Sequence, residues 1–403
     1  MKRILFVDDQ PETMHDLRQA LAELHPEWEM DISTCGDEAL KRMFRSPYDV
    51  VVADMVMPGM DGVEMLTKVM HRHPTTVRII ISGHLDWNAS LRLMGTAHQY
   101  LTKPFSAQEL AETIARALAL RELLANEQLK RLVSQVQSLP SIPGLYLELL
   151  EELRKAEPSP EKVGDIIARD LGMCTKLLHL VNSAFFALPR NISNPQEAVI
   201  YLGLETVKAL VLSLQIFSLF ERIKVTDFSY DKLWSHSWMT GVLARRIAEA
   251  ENFDARTTDE AFIGGLLHDV GKLVLVTGVP SQFQKALTLA HEKRLPLWQA
   301  EQELLKATHA EVGAYLLGLW GLPDAVVEAV ALHHVPARNC YRSFSPLTVV
   351  HVANALAYEF ATGPTATPPT LVDRHYLIEL GMDDRLPAWR ELARTLAARE
   401  GAA

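Results

Sequence analysis

The stretch Val50-Val-Val-Ala-Asp-Met-Val-Met-Pro-Gly-Met-Asp-Gly62 decides how the N-terminal part of the chain is read. Four apolar residues run without alternation into an acid, and Pro58 and Gly59 then turn the chain. A short unbroken run rich in β-branched residues reads as a strand covered on both faces, which is the habit of parallel sheets. Similar runs lie at 4–7, 30–32, 78–81 and 100–101, with helix-period segments such as 13–24 and 36–44 between them. Strand–helix alternation of this kind implies a doubly wound α/β sheet of five strands, and such sheets bind ligands outside the carboxyl ends of their strands. Position therefore gives the acids their meaning: Asp8 and Asp9 end the first strand, and Asp54 ends the third.

Three carboxylates at neighbouring strand ends repel one another unless a cation sits among them. Mg²⁺ suits such a place, because it takes oxygen ligands, keeps several waters and bridges to phosphate. Lys103, ending the last strand, brings a compact ammonium, and Ser82, ending the fourth, brings a hydroxyl able to donate to a phosphoryl oxygen. These residues fall in four stretches, Val7-Asp-Asp-Gln10, Ala53-Asp-Met-Val-Met-Pro-Gly-Met-Asp-Gly62, Ile81-Ser-Gly-His84 and Tyr100-Leu-Thr-Lys-Pro-Phe105. Their order, spacing and strand-end placement resemble the receiver domain of two-component response regulators. The resemblance implies a flavodoxin-like domain over residues 1–120 in which Asp54 accepts a phosphoryl group from a histidine kinase. It implies a Mg²⁺ held by Asp8 through water, by Asp9, by Asp54 and by the carbonyl of Val56. It also makes Ser82 and Tyr100 the pair that reorients when phosphate arrives, Lys103 the lysine that meets the phosphate, and the following bond to Pro104 cis.

Composition excludes several classes. The chain has 403 residues, 48% hydrophobic and 22% charged, with a formal net charge of -10, so nucleic acid would need a local basic patch and none is dense enough. No basic helix-turn-helix pattern argues for DNA. Cys35, Cys174 and Cys340 are far apart and form no CxxC pair, which fits reduced thiols in a cytoplasmic protein. The start of the chain lacks the apolar run of a signal peptide. The longest apolar stretch, 207–220, is broken by Lys208 and Gln215 and is shorter than the roughly 20 residues a membrane span requires, so it reads as a buried helix.

Residues 106–137 read as one long helix, with residues 121–138 connecting two domains. Its seam of Leu118, Ala125, Leu129, Leu132 and Val136 suits a short coiled coil between two copies, hence a homodimer, and equally a linker packed on its own chain. Pro140 and Pro143 end it and open a second domain, 139–403. There amphipathic segments follow one another with almost no strand pattern, so this part reads as all-α. The Gly/Pro/Thr stretch at 362–370 reads as a loop. Asn182 and Ser183 read as helix-end capping.

The helical part carries a second constellation. His236 lies within a helix pattern in Trp234-Ser-His-Ser-Trp238, His268 and Asp269 are adjacent in Gly264-Gly-Leu-Leu-His-Asp-Val-Gly-Lys272, His309 opens a helix and His333-His334 ends one. Mixtures of imidazole and carboxylate suit Fe, Mn, Zn or Ni, and water held by such a metal can act as a nucleophile near neutral pH. Adjacent His268 and Asp269 cannot share a helix face, but they can straddle a site where the helix breaks, and Gly271 follows closely.

The arrangement resembles the HD superfamily of metal-dependent phosphohydrolases. Leu139-Pro-Ser-Ile-Pro143, Ile166-Ile-Ala-Arg-Asp170, Leu180-Val-Asn-Ser-Ala-Phe-Phe186, Glu197-Ala-Val-Ile-Tyr-Leu-Gly203, the His268-Asp269 run and Trp320-Gly-Leu-Pro323 resemble the HDOD domain in particular. That resemblance implies a module that binds or signals, its partner a protein or a nucleotide-type ligand. His236, His268, Asp269, His309, His333 and His334 match metal positions of the related HD-GYP cyclic-di-GMP phosphodiesterases, and Lys272 matches their lysine. Two departures stand out: no Gly-Tyr-Pro motif follows His334, and Asn354 stands where an Asp is expected. A neutral amide replaces a bridging carboxylate poorly. Three uses of the histidines stay open: hydrogen-bonded core residues, a metal site with a structural or sensing role, and active hydrolysis.

Overall fold

The computed structural model describes residues 2–83, 96–124, 126–134, 157–182, 192–204, 225–339, 343–360 and 371–400, with scattered positions between 136 and 219. The motif residues His84, Ser183 and Cys340 and the loop at 362–370 lie outside the described residues. The chain divides into two compact units, the first built from Met1–Ser138 with two short later segments and the second from the remainder.

The first unit alternates as its sequence implies: β1 (Lys2–Val7), α1 (Pro11–Leu24), β2 (Trp28–Ser33), α2 (Gly36–Arg45), β3 (Val50–Asp54), α3 (Gly62–Arg72), β4 (Val77–Ser82) and β5 (Gln99–Thr102). All neighbouring strands pair in parallel, in the order β2-β1-β3-β4-β5. Register sets Val7 against Ala53, Asp54 against Ile81, and Ser82 against Thr102, so the acids, Ser82 and Lys103 leave the sheet along one edge. Leu5, Val51 and Ile80 from the strands pack with Met43, Met65 and Leu66 from the helices, each at most 1% exposed. Burying such side chains stabilises the fold by about 1.5–3 kcal/mol apiece.

The connecting segment differs from the single helix that its periodicity suggests. It forms α4 (Ala107–Leu123) and α5 (Glu127–Ser134), separated where Leu124 turns extended. Asn126 causes the break by capping a new helix: its Oδ1 accepts from the backbone N–H groups of Gln128 (2.9 Å) and Leu129 (3.1 Å). Of the seam residues, Leu118 and Leu129 are buried within the chain itself, as are Leu124 and Val133 beside them. The end of α5 is tied to the sheet, because the buried Arg78 guanidinium donates to the carbonyl of Ser134 at 2.8 Å.

Among the described residues the second unit is helical apart from a two-residue parallel pair, β6 (Pro140–Ser141) with β7 (Ser218–Leu219). Its helices are α6 (Pro160–Ala168), α7 (Leu171–Val181), α8 (Pro195–Leu202), α9 (Tyr230–Ala250), α10 (Ala255–Leu267), α11 (Val270–Gly278), α12 (Pro280–Lys293), α13 (Leu297–Leu305), α14 (His309–Leu319), α15 (Asp324–Leu332), α16 (Pro346–Glu359), α17 (Arg374–Glu379) and α18 (Leu386–Glu400). Side-chain caps set many of the starts, Ser159, Asn194, Ser229 and Asp254 among them. Leu243, Ile247, Val350, Leu356 and Trp389 form the core between α9, α16 and α18.

Residues 207–220 lie largely outside the described residues, and the apolar helical stretch that is seen is another one. Ala255–Gly278 is apolar and long enough to cross a membrane by composition, but 89% of its most apolar window is buried inside the protein. α11, its second half, carries Gly271 and the apolar run Leu273-Val-Leu-Val276.

Candidate functional sites

At the carboxyl edge of the sheet, oxygens of Asp8, Asp9 and Asp54 lie within 4.8 Å of one another. The Asp8 side chain is 3% exposed and that of Asp54 12%. Lys103 spans the two, its Nζ 3.1 Å from Asp8 Oδ2 and 3.0 Å from Asp54 Oδ1. Burial pushes the Asp54 carboxyl above its ordinary range; Lys103 opposes that push and the charge of Asp8 adds to it. Burial by itself would lower the Lys103 ammonium, but Asp54 and Asp8 raise it, so the lysine stays charged.

Ser82 Oγ is buried beside this edge with no hydrogen-bond partner, an arrangement that costs free energy unless something arrives to accept from it. Val56, in the loop after Asp54, is exposed. The Tyr100 backbone lies in β5, while its side chain is outside the described residues. The Lys103–Pro104 bond is cis. A carboxylate trio, one ammonium and one orphaned hydroxyl together fit a divalent cation and a phosphoryl group.

The second cluster is assembled by close helix crossings. α10 ends at Leu267 and α11 begins at Val270, so His268 and Asp269 occupy the break between them. A Cβ on Gly271 would lie 1.9 Å from the carbonyl oxygen of His309, and one on Gly265 would lie 2.9 Å from the Cα of Gly241. Only glycine lets α11 approach α14, and α10 approach α9, closely enough to gather their ligands.

Two groups result, and they share Asp269. His236, His268 and Asp269 form one; Asp269, His309, His333 and His334 form the other, the candidate ligand atoms of each lying within 4.8 Å of one another. The rings are oriented from behind. His268 Nδ1 pairs with the carbonyl of Gly265 at 2.7 Å, His333 Nδ1 with that of Val330 at 2.8 Å, and His309 Nδ1 with Glu301 Oε2 at 2.6 Å. Each leaves its Nε2 toward the cluster. His268 Nε2, His333 Nε2 and Asp269 Oδ1 are buried and make no hydrogen bond, although Asp269 Oδ1 is only 3.1 Å from His309 Nε2. Nitrogen and oxygen acceptors buried without a donor, as these three are, suit a cation.

Electrostatics follow from this packing. Burial holds the His333 and His334 imidazoles well below the ordinary range and brings that of His236 to about 3. Burial disfavours the Asp269 carboxylate, yet the neighbouring His268 and Lys272 hold it well below its ordinary value. Asn354 does reach the cluster, its Oδ1 2.9 Å from His236 Nε2, so all seven residues expected of this site are brought together. Glu301 was invisible to sequence reasoning: it is fully buried, and it also accepts from the backbone N–H of His309 at 2.8 Å. Tyr358, equally unforeseen, covers His236 at 4.0 Å between ring centroids.

Residues 4–115 match the response regulator receiver domain, and residues 139–336 match the HDOD domain. An uncharacterized protein of Treponema pallidum (strain Nichols) is 30% identical over 226 residues, 55% of this chain and 43% of that protein. The hydrogenase transcriptional regulatory protein HoxA of Cupriavidus necator is 35% identical over 117 residues, 28% of this chain and 24% of that protein. The chain thus spans less than half the length of either relative. Among solved structures, the MmoQ response regulator of Methylococcus capsulatus str. Bath has a TM-score of 0.48 at 23% identity, covering 63% of this chain and 98% of that one.

Proposed function

Since this chain belongs to the response regulators and joins a receiver domain to an HDOD domain, we propose that a histidine kinase phosphorylates Asp54 and that this changes what the helical unit binds. The observation that carries the proposal is the Asp8–Lys103–Asp54 bridge, with Asp9 alongside and the orphaned Ser82 hydroxyl nearby. Asp54 attacks the phosphorus, the bond from phosphorus to the donor imidazole breaks, and an acyl phosphate forms. Mg²⁺ bound among Asp8, Asp9, Asp54 and the Val56 carbonyl supplies charge that offsets the transferring oxygens. Lys103 then exchanges its contact with Asp54 for one with the phosphoryl group, and the Ser82 hydroxyl donates to the same group.

A relay out of the pocket is available within the receiver. Ser82 ends β4 and Tyr100 lies in β5, and the same two strands carry Arg78 and, just before β5, His98. Arg78 N–H meets His98 Nδ1 at 3.1 Å, and the Arg78 guanidinium holds the last carbonyl of α5. A shift of β4 against β5 therefore reaches the connecting helix. The output is binding of a protein or a nucleotide-type ligand, with a transition metal in the histidine cluster shaping that surface. A second reading, a metal-dependent phosphodiesterase switched by Asp54, is favoured by the convergence of His236, His268, Asp269, His309, His333 and His334.

Acetyl phosphate with Mg²⁺ tests the input: mass spectrometry is expected to place one phosphoryl group on the peptide containing Asp54. Equal labelling of Asp54→Ala would overturn the assignment. Hydrolysis of a cyclic dinucleotide, lost in His268→Ala, would select the second reading over pure binding.

A further inference from the structure

We infer that the histidine cluster is a mononuclear centre: one divalent transition metal sits among Asp269, His309, His333 and His334, and the adjoining His236–His268 position is closed to a second. The inference rests on the reading of the cluster as a metal site and goes beyond it by assigning occupancy. The two positions look alike in ligand type, but they differ in charge and in how far their donor atoms are already engaged.

At the His236–His268 position every anionic or basic group is already in use except one nitrogen. Asp269 Oδ2, the carboxylate oxygen on this side, is paired with the buried Lys272 ammonium at 2.5 Å. His236 Nε2 is occupied by the Asn354 amide. His268 Nε2 has Asp269 Oδ2 3.4 Å away and makes no hydrogen bond. The formal charge on this side is one carboxylate against one ammonium, so an arriving dication finds no net negative charge in a buried place. Desolvation of an ion is then not offset. An aspartate at 354 would restore the missing charge.

The other position has the opposite balance. Asp269 Oδ1 makes no hydrogen bond, His333 Nε2 has no partner, and His309 Nε2 and His334 Nε2 are hydrogen-bonded to each other, at 2.9 Å, so that a metal would replace one shared proton. Behind His309 stands Glu301, fully buried, with Oε2 on the ring N–H and on the backbone N–H of the same residue. A carboxylate there fixes the tautomer, raises the basicity of the ligand nitrogen, and, with Asp269 already paired to Lys272, is the negative charge that the other position lacks. Glu301 is thus a positioning residue rather than a ligand. Three imidazoles and one carboxylate suit a borderline ion of the Zn²⁺ or Co²⁺ class rather than Mg²⁺.

The test is titration of the chelator-stripped, unphosphorylated full chain with Co²⁺ in excess Mg²⁺, which fills the Asp8–Asp9–Asp54 pocket, reading stoichiometry by calorimetry and ligand field by visible absorption. Wild type is expected to bind one equivalent tightly, His236→Ala still one, and Asn354→Asp two. Glu301→Gln is expected to keep one equivalent but weaken it about 10- to 100-fold and shift the absorption bands, an effect that mere loss of packing would not give. His333→Ala is expected to bind none tightly; should it fail to fold, the His236 and Asn354 variants still decide. Two equivalents in wild type, or a single one lost in His236→Ala, overturns the mononuclear assignment while leaving a metal site. Asn354→Asp that stays at one equivalent overturns the charge argument. No tight Co²⁺ in folded wild type overturns the metal reading itself.

Discussion

The two sites solve one electrostatic problem in opposite ways. At the sheet edge, like charges are gathered where water can still reach them, and the chain supplies its own counter-ion in Lys103, shared between Asp8 and Asp54. In the helical unit, imidazoles surround a single shared carboxylate deep in the protein, and one of its two oxygens is left without a hydrogen bond. The first arrangement suits a group that comes and goes, because Lys103 can change partners at little cost. The second suits an ion that stays, because its buried acceptors remain unsatisfied until one is present.

That contrast is easiest to break at the helix crossing that builds the second site. Gly271→Ala places a Cβ against the carbonyl of His309 and is expected to cost about 3 kcal/mol or more in the helical unit, with loss of metal binding. Denaturation followed separately in the two units should leave the receiver transition unmoved. A shift of both transitions would show that the units are not independent in stability.

Acid should separate the two regions by sign. In chelated protein, His236 titrates in the fold at about 3 against an ordinary 6.5, so its share of stability is whole above pH 6.5 and is lost as pH falls toward 3. The loss has a slope of up to about 1.4 kcal/mol per pH unit from this residue alone. The Asp54 carboxyl is raised above its ordinary 3.8, so its contribution is present at low pH and lost as pH rises through the folded value. Acidification therefore weakens the helical unit and spares the receiver pocket. Burial also lowers His73 in the receiver, so the contradicting result is a receiver transition that falls as far as the helical one in calorimetric scans between pH 7 and pH 5. The smallest effect is that of Asp54→Asn, which removes a net unfavourable buried charge and should stabilise the metal-free receiver by under about 1 kcal/mol, read as a slightly higher denaturation midpoint.

The receiver was largely legible in the sequence because strand ends turn a local pattern into a location. Once Val50–Asp54 is a parallel strand, Asp54 must lie on the same edge as Asp8, Ser82 and Lys103. The helical site was legible only as a set of residue types. Its organisation depends on Gly271 and Gly265 crossings, on the helix break at His268, and on Glu301, an acid in an ordinary amphipathic pattern whose partner is set by packing alone. The connecting helix misled for the reverse reason. A good period runs through 106–137, but Asn126 offers its side chain to the backbone and starts a second helix.

The most direct test of a phosphorylation-controlled output is hydrogen exchange on the full chain with Mg²⁺ and beryllofluoride, which stands in for the acyl phosphate on Asp54. Wild type should change protection at β4 and β5, in α5 through the Arg78–Ser134 bond, and in helices of the second unit, while Asp54→Ala changes in none. Changes confined to the pocket of Asp8, Asp9 and Asp54, or equal changes in Asp54→Ala, would contradict the account.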